Sequence, residues 1–281
     1  MKHLILLARF NQPIGTWLLL LPCLWSITLA HPSFPELKYY LLFIIGAIVM
    51  RGAGCVFNDI ADRKIDGMVR RTAKRPIAAG KISVAQASLF MVFLLLMGFF
   101  ILIQFNNFAI LVGVTSLLLF FIYPFMKRIT YWPQAFLGLT FNWGALLGWA
   151  SVRGELDLTP FILYCAGFFW TLGYDTIYAH QDKNDDIRIG VKSTAIKFGA
   201  GTKKWLSCLF TISSILFVIC GYLEKMNWIF FLGIAISATH LFWQIKTLDI
   251  NCSKNCNTKF KSNRDYGIII FIGIFLSKMS M

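Results

Sequence analysis

The stretch VAQASLFMVFLLLMGFFILIQ, residues 84–104, decides the fold class of this chain. It contains no charged residue, and a helix of this length covers the hydrocarbon core of a bilayer, which is about 30 Å thick. A helix that is apolar all round is either buried in a large core or spans a membrane. The length of the stretch favours the membrane.

The composition of the whole chain agrees with that interpretation. Of the 281 residues, 57% are hydrophobic, and the mean hydropathy is +0.66. Only 14% are charged, compared with about 25% in ordinary globular domains. These values exclude a soluble domain, a disordered chain and a secreted scaffold held by disulfides. We therefore expect a single integral-membrane domain over residues 1–281.

Similar apolar runs lie on both sides of the first stretch and predict an all-α bundle of about nine transmembrane helices. The predicted spans are Ile14–Ala30, Tyr40–Phe57, Val84–Gln104, Phe108–Phe125, Pro133–Val152, Pro160–Ala179, Trp205–Tyr222, Trp228–Ile245 and Tyr266–Ser280.

The charges are distributed unevenly about these spans. The formal net charge is +14, and 22 of the 27 lysines and arginines fall in the N-terminus and in the loops on one side of the bundle. Four lie on the opposite side, and Arg51 falls inside the second span. Cytoplasmic loops carry the excess of Lys and Arg, so we expect the N-terminus and the basic loops to be cytoplasmic. Because the cations sit between apolar runs, the expected partner is membrane lipid and not nucleic acid.

Two acidic clusters follow even-numbered spans on this basic side. Asn58, Asp62 and Asp66 stand at positions i, i+4 and i+8, which form one stripe on a helix. Asp175, Asp182 and Asp186 would also share one face of a continuous helix. Like charges on one face repel unless a cation compensates them, and Mg²⁺ is held by one or two carboxylates together with substrate phosphates and water.

The alternative is that these acids neutralise basic loops and solvate helix ends. The repeated DxxxD spacing at two equivalent places favours a metal–diphosphate site. Arg71, Arg75 and Lys192 follow the acids and suit phosphate oxygens. Basic loops by themselves also serve as topology signals or lipid contacts. A cation-coupled transporter is the rival from another class, but it would place its carboxylates near mid-membrane.

Four segments carry a resemblance to a known family: PIGTWLLLLPCLW (13–25), RGAGCVFNDIADRKIDGMVRRTAKRPIAAG (51–80), YPFMKRITYWPQ (123–134) and DTIYAHQDKNDDIRIGVKSTAIKFG (175–199). They resemble the UbiA superfamily of intramembrane aromatic prenyltransferases. The second and third segments are similar to its 4-hydroxybenzoate branch. Asn11-Gln12 departs from the Asp-Lys that commonly precedes PIG in this family.

The resemblance implies a helical bundle around a central cavity, capped by cytoplasmic Asp-rich loops. It also implies Mg²⁺-dependent transfer of a long prenyl chain from polyprenyl diphosphate to 4-hydroxybenzoate, at the ring carbon ortho to the hydroxyl. Such a reaction belongs to ubiquinone biosynthesis, and we expect a bacterial inner membrane and no obligate protein partner. The alternative acceptors are a dihydroxynaphthoate or homogentisate.

The expected roles follow from the motif matches and the chemistry of the residues. The expected metal ligands, which are also catalytic, are Asp62, Asp66, Asp182 and Asp186. Arg128 matches the arginine of the YPxxKR stretch and is the fifth expected catalytic residue. The expected substrate-binding residues are Asn58, Arg51, Arg71, Arg75, Tyr178 and Lys192. Arg51 is the candidate for the acceptor carboxylate, with Arg128 as the alternative. Tyr178 could stabilise an allylic cation or belong to the interfacial aromatic belt.

Overall fold

The computed structural model describes residues 2–280, and every regular element in that part of the chain is helical. Two 3₁₀ turns cover Tyr123–Phe125 and Gly199–Gly201. The α-helices are α1 (Lys2–Leu7), α2 (Ile14–Ala30), α3 (Leu37–Ala61), α4 (Arg63–Asp66), α5 (Val84–Leu102), α6 (Asn107–Ile122), α7 (Met126–Ile129), α8 (Pro133–Phe141), α9 (Trp143–Arg153), α10 (Leu158–Ala179), α11 (Lys183–Ile189), α12 (Thr194–Phe198), α13 (Thr202–Leu223), α14 (Trp228–Thr247) and α15 (Ser253–Met279).

The all-helical prediction is confirmed, and each predicted span falls on helix. Within the described residues, six helical segments are long and apolar enough to cross a membrane, and Ile14–Ala30 is a shorter apolar helix. The last predicted span forms the second half of α15, whose first half is polar. Together with α10, it falls outside the six, so the number nine stays a prediction.

Helix α10 lies at the centre of the bundle. It packs against α13, α8, α15, α9 and α2. Trp170 on α10 is fully buried among other aromatic rings, with Trp25 of α2 5.3 Å away and Tyr266 of α15 5.2 Å away between ring centroids. The second acidic motif follows the C-terminus of this helix, so a central, well-packed element of the fold supports it.

Helix α5, the stretch that decides the fold class, lies at the periphery. It packs mainly against α3, and only Ala87 and Leu94 of its residues are buried. Large apolar side chains such as Leu89 (74% exposed) and Phe100 (62% exposed) point away from the bundle. A contiguous apolar surface of this kind is stable against lipid and unfavourable in water.

One predicted span is interrupted. Asn142 separates α8 from α9 within the span predicted over 133–152. Its amide Nδ2 donates to the carbonyl of Gly138 and to Thr171 Oγ1, both at 2.8 Å. The bond to Thr171 joins the break between α8 and α9 to α10.

Candidate active site

The first acidic motif lies where α3 ends and α4 begins. Asp62 separates the two helices with φ −94° and ψ 4°. The backbone N–H of Asp62 still donates to the carbonyl of Asn58, and that of Asp66 to the carbonyl of Asp62, both at 2.8 Å. The four-residue spacing therefore survives the break, and all three side chains line one cavity.

The second motif is built differently from the sequence prediction. Asp175, Asp182 and Asp186 do not lie on one continuous helix, because α10 ends at Ala179 and α11 begins at Lys183. The N–H groups of residues 180, 181 and 182 each donate to the carbonyl three residues earlier. This tighter 3₁₀ winding changes the direction in which the following residues face. Asp182 N-caps α11 by position, and its carbonyl accepts from Asp186 N–H at 2.8 Å.

Both motifs face a cavity of about 190 Å³, here called the small cavity. Its lining includes all four predicted metal ligands, Asp62, Asp66, Asp182 and Asp186. It also includes side chains from the N-terminal segment and from three of the predicted cytoplasmic loops, among them the cations Arg9, Arg71, Arg75, Lys127 and Lys192. Segments far apart in sequence thus combine opposite charges around a space large enough for a diphosphate.

Three of the four carboxylates are paired with cations from this lining. Lys127 Nζ lies 2.5 Å from Asp62 Oδ2, Arg75 Nη1 lies 2.8 Å from Asp66 Oδ2, and Arg71 Nε lies 2.8 Å from Asp182 Oδ1. The Arg71 contact joins the first loop to the second loop. Its Nη1 also donates to the Tyr178 hydroxyl at 2.7 Å, and its guanidinium carbon lies 5.0 Å from the centroid of that ring.

Asp186 differs from the other three carboxylates. Among residues 2–280 no cation lies within ion-pair distance of it. Burial raises the pKa of Asp186 to about 7, and the negative charge of Asp182 adds to the effect. Asp186 is half-buried, and a carboxylate partly removed from water without a compensating cation is unfavourable. Among the four expected metal ligands, this side chain therefore most needs an added positive charge.

The donor set fits a hard divalent cation that arrives with its substrate. Within the described chain, no three His, Cys, Asp or Glu side chains come close enough together to enclose a metal by themselves. Mg²⁺ in phosphate-transferring sites commonly uses one or two carboxylates, with phosphate oxygens and water completing its coordination. Asp62 with Asp66 on one wall, and Asp182 with Asp186 on the other, could each supply such a carboxylate pair.

A second cavity, of about 1160 Å³, continues from the small cavity into the bundle and is here called the large cavity. Asn58, Tyr123, Asp175 and Tyr178 line both cavities. Deeper in the bundle, the lining comes mainly from apolar residues of α2, α3, α5 and α6. Phe99, which is 48% exposed, belongs to it as well, so this wall continues onto the lipid-facing surface.

Arg51 is the basic residue that the sequence places inside a span, and it lines the large cavity but not the small one. Its guanidinium carbon lies 5.7 Å from the centroid of the Phe141 ring, and its Nη1 contacts Cys55 Sγ. Its buried Nε has no hydrogen-bond partner among the described residues. A methyl group at Gly15 would overlap the guanidinium, so the glycine of the PIG segment provides the space that Arg51 occupies.

Two other predicted site residues, Arg128 and Lys192, contact backbone carbonyls and so partly serve to support the site. Arg128 lines neither cavity, and its Nη2 donates to the carbonyl of Ala61 at 2.6 Å and lies 3.4 Å from Asp62 Oδ1. Lys192 lines the small cavity, but its Nζ donates to the carbonyl of Ile129 at 2.9 Å. Both contacts hold the loop after Tyr123 against the acidic motifs.

Sequence reasoning misses several groups at the site. By sequence Arg9 is only a topology signal, yet its Nη2 lies 2.7 Å from Asp59 Oδ1 and its side chain lines both cavities. Asp59 reads by sequence as a helix cap or a support for the ligands, and it is 1% exposed between Arg9 and Arg75. The sequence shows Arg9 as a positive charge shortly before the PIG segment, but it does not show that this charge pairs with Asp59, because that pairing depends on the fold.

His180 belongs to the second motif in sequence but not in space. It is buried and lines neither cavity, and its Nε2 lies 3.0 Å from Thr202 Oγ1 of α13. Burial lowers the pKa of His180 to about 4, so the ring is neutral near pH 7. Its contacts join the end of α10 to α13 and do not reach the carboxylates.

Comparison with known proteins agrees with this architecture. The UbiA prenyltransferase family matches this chain over residues 19–274. A curated relative from Arabidopsis thaliana, named 4-hydroxybenzoate polyprenyltransferase, mitochondrial, is 50% identical over 275 residues, covering 97% of this chain and 68% of that protein.

Two solved structures share the fold. The apo structure of a UbiA homologue from Aeropyrum pernix K1 superposes with a TM-score of 0.79 at 24% identity, covering 94% of this chain and 98% of that one. A UbiA homologue from Archaeoglobus fulgidus bound to GPP and Mg²⁺ gives a TM-score of 0.69 at 19% identity, covering 99% of this chain and 100% of that one.

Proposed function

This chain belongs to the UbiA prenyltransferase family, and from that premise we propose that it transfers a long prenyl group from polyprenyl diphosphate to 4-hydroxybenzoate. The chain is an integral-membrane prenyltransferase. The proposed reaction joins the first carbon of the prenyl chain to the ring carbon ortho to the hydroxyl and releases diphosphate. One observation carries the proposal: two facing acidic motifs and five cations line a diphosphate-sized cavity that opens into a large apolar one.

The small cavity suits the diphosphate end of the donor. We assign Asp62, Asp66, Asp182 and Asp186 to the divalent metal, and Arg71 and Arg75 to the diphosphate oxygens. The structure of the relative bound to GPP and Mg²⁺ supports a metal requirement in this family, and Mg²⁺ as the metal of this chain is our proposal. When bound, such an ion supplies positive charge that stabilises the departing diphosphate.

The large cavity suits the prenyl chain and the acceptor ring. Its apolar lining excludes water, so that an allylic cation formed on departure of the diphosphate meets the ring before it meets solvent. Tyr178 lines the junction of the two cavities and presents a ring there. We assign that ring to cation stabilisation.

Arg51 suits the carboxylate of the acceptor. A guanidinium offers two parallel N–H donors that match a carboxylate in geometry, and the buried Nε of this residue has no partner in the described chain. Arg128, the alternative, lines neither cavity. We therefore assign Arg51 to the acceptor and Arg128 to support of the α3–α4 junction.

The test uses membranes that contain the protein, incubated with a long polyprenyl diphosphate, Mg²⁺ and one aromatic acid at a time. We expect 3-polyprenyl-4-hydroxybenzoate, identified by mass spectrometry, and little product from a dihydroxynaphthoate or homogentisate. The acceptor assignment would be wrong if 4-hydroxybenzoate gave no product while another acid did. Membranes carrying Asp182→Asn serve as the control for background turnover.

The pathway and the location complete the proposal. A prenylated hydroxybenzoate is the product expected of a step in ubiquinone biosynthesis, and we propose a bacterial inner membrane with the acidic motifs on its cytoplasmic side. The curated Arabidopsis relative is named as mitochondrial, so fractionation of the native cells, with protease accessibility of the loop 63–83, is the experiment that tests this location.

A further inference from the structure

Lys259, in the first half of α15, is a buried cation without a compensating anion. It is 5% exposed, and its ammonium lies 3.3 Å from the centroid of the Trp243 ring of α14. No carboxylate of residues 2–280 lies within ion-pair distance of its Nζ. Removing a charged group from water is unfavourable unless an opposite charge compensates it, and contact with an aromatic face offsets only part of that cost. The structure thus leaves room for an anion beside this side chain.

Lys259 lies outside the site that we assign to the prenyl diphosphate. It lines neither the small cavity nor the large one. Asn257, Lys261 and Arg264 of the same helix do line the large cavity, and at 3.6 residues per turn they fall on roughly the opposite side of α15. The anion that would compensate Lys259 is therefore a different group from the diphosphate of the substrate.

The contact with Trp243 places Lys259 at the boundary between lipid and water. Helix α14 is long and apolar enough to cross a membrane, and Trp243 lies one turn before its last residue, Thr247. Trp243 is 43% exposed and its neighbour Phe242 is 66% exposed, so apolar surface borders the site. Tryptophan is enriched at this depth of a bilayer, where the headgroups of lipids begin. A lipid headgroup can therefore reach the site from the side.

The charges at this place favour a lipid with a net negative headgroup. Lys246 stands three residues after Trp243, on the same side of α14. It is exposed, and within the described chain no carboxylate pairs with it. The face of the indole ring is already occupied by Lys259, so the ammonium of a zwitterionic headgroup has no aromatic face to bind. Two cations without an acid suit a phosphate whose charge is not balanced within its own headgroup.

A chain of side-chain hydrogen bonds holds the two helices of this site against the centre of the bundle. Gln244, the residue after Trp243, donates from Nε2 to Ser262 Oγ at 3.1 Å, and its Oε1 accepts from Asn263 Nδ2 at 3.3 Å. Asn263 Oδ1 in turn accepts from the indole N–H of Trp170 on α10 at 2.9 Å. The positions of Lys259 and Trp243 are thus fixed by helix packing, as a specific binding site requires.

We propose that Lys259, Trp243 and Lys246 form a binding site for the phosphate of an anionic phospholipid, in the leaflet on the side of the basic loops. The test titrates the purified full-length protein in detergent with phosphatidylglycerol or phosphatidylcholine and counts bound lipid by native mass spectrometry. We expect the wild type to bind phosphatidylglycerol more tightly. Lys259→Met, which removes the charge, should weaken that binding by about fivefold or more and abolish the preference. Lys259→Arg should bind within about threefold of the wild type, because arginine also stacks on aromatic faces.

The matched control is Lys254→Met, which makes the same change at an exposed lysine in the first turn of α15, and we expect it to bind like the wild type. Wild-type affinity in Lys259→Met overturns the inference, and so does an equal loss in the control, which would indicate a response to overall charge. Displacement of phosphatidylglycerol by inorganic phosphate would overturn the lipid as the ligand. If Lys259→Met does not fold, wild-type affinity in Trp243→Leu overturns the site. The readout is lipid binding, so none of these outcomes bears on the proposed function.

Discussion

Substitution of Gly15 by Ala should lower kcat/KM for the acceptor, because the added methyl group displaces the neighbouring side chain of Arg51. The added methyl would overlap Nε of Arg51 and lie 2.7 Å from its Nη2, closer than real methyl contacts come. The guanidinium must move, because the backbone of α2 beyond Gly15 is packed among buried residues. Its contact with Phe141, at 5.7 Å, would be lost with that movement.

The size of the effect follows from the interaction that is displaced. A charge-assisted hydrogen bond contributes about 1.5–3 kcal/mol, which corresponds to a loss of about 10- to 150-fold in kcat/KM for 4-hydroxybenzoate. The KM for polyprenyl diphosphate should change by less than about threefold, because the diphosphate is assigned to the small cavity, which Arg51 does not line. Alanine favours a helix over glycine by about 0.5–1 kcal/mol, so intrinsic preference does not lower the stability of the variant.

The assay measures initial rates in nanodiscs with each substrate varied in turn, together with thermal unfolding of the purified protein. Gly46→Ala is the matched control, since its added methyl meets only Ile101, at an ordinary contact distance of 3.7 Å. An unchanged kcat/KM for the acceptor in Gly15→Ala would refute the assignment of Arg51. So would an equal loss in the control variant.

Further predictions concern the small cavity and its surroundings. Asp62→Ala and Asp182→Ala should each nearly abolish turnover while the protein still inserts into membranes, as measured by product formation and alkaline extraction; near-normal turnover in either variant would contradict the metal site at that motif. Removal of divalent metal with EDTA should abolish activity, and added Mg²⁺ should restore it; activity that survives EDTA would refute the metal requirement. Arg71→Lys should raise the KM for polyprenyl diphosphate by about 10-fold or more, because lysine cannot form the planar fork; an unchanged KM would show that Arg71 only joins the loops. His180→Gln should keep kcat within about threefold, because its contact with Thr202 is structural; a 100-fold loss would indicate a catalytic role for His180.

The spacing of the two acidic motifs is enough to predict that their carboxylates belong to one site. Carboxylates are rare in this chain, so two clusters with the same spacing on the same predicted side indicate a shared role. The folded chain brings all four assigned ligands to the small cavity. Helical spacing holds for the first motif, but the prediction of one continuous helix is wrong for the second, because 3₁₀ winding after Ala179 depends on local contacts such as His180 with Thr202.

The sequence does not predict which cation pairs with which carboxylate. Arg71, Arg75 and Lys127 are three of many basic loop residues, and nothing in their spacing says which carboxylate each one contacts. Arg9 pairs with Asp59 across 50 positions. Such pairs are decided by which helix ends come together in the folded bundle.

The sequence by itself determined that the chain lies in a membrane, where most of its long helices begin and end to within a few residues, and which loops carry the acidic motifs. These properties follow from apolar length, from the distribution of Lys and Arg and from local spacing, all of which are readable along one chain. Only the tertiary structure decided that Gly15 makes room for Arg51 and that Lys259, among the described residues, is buried against Trp243 with no carboxylate within ion-pair distance. The reason is physical: burial and pairing are properties of side chains from separate helices, and they exist only after those helices have packed.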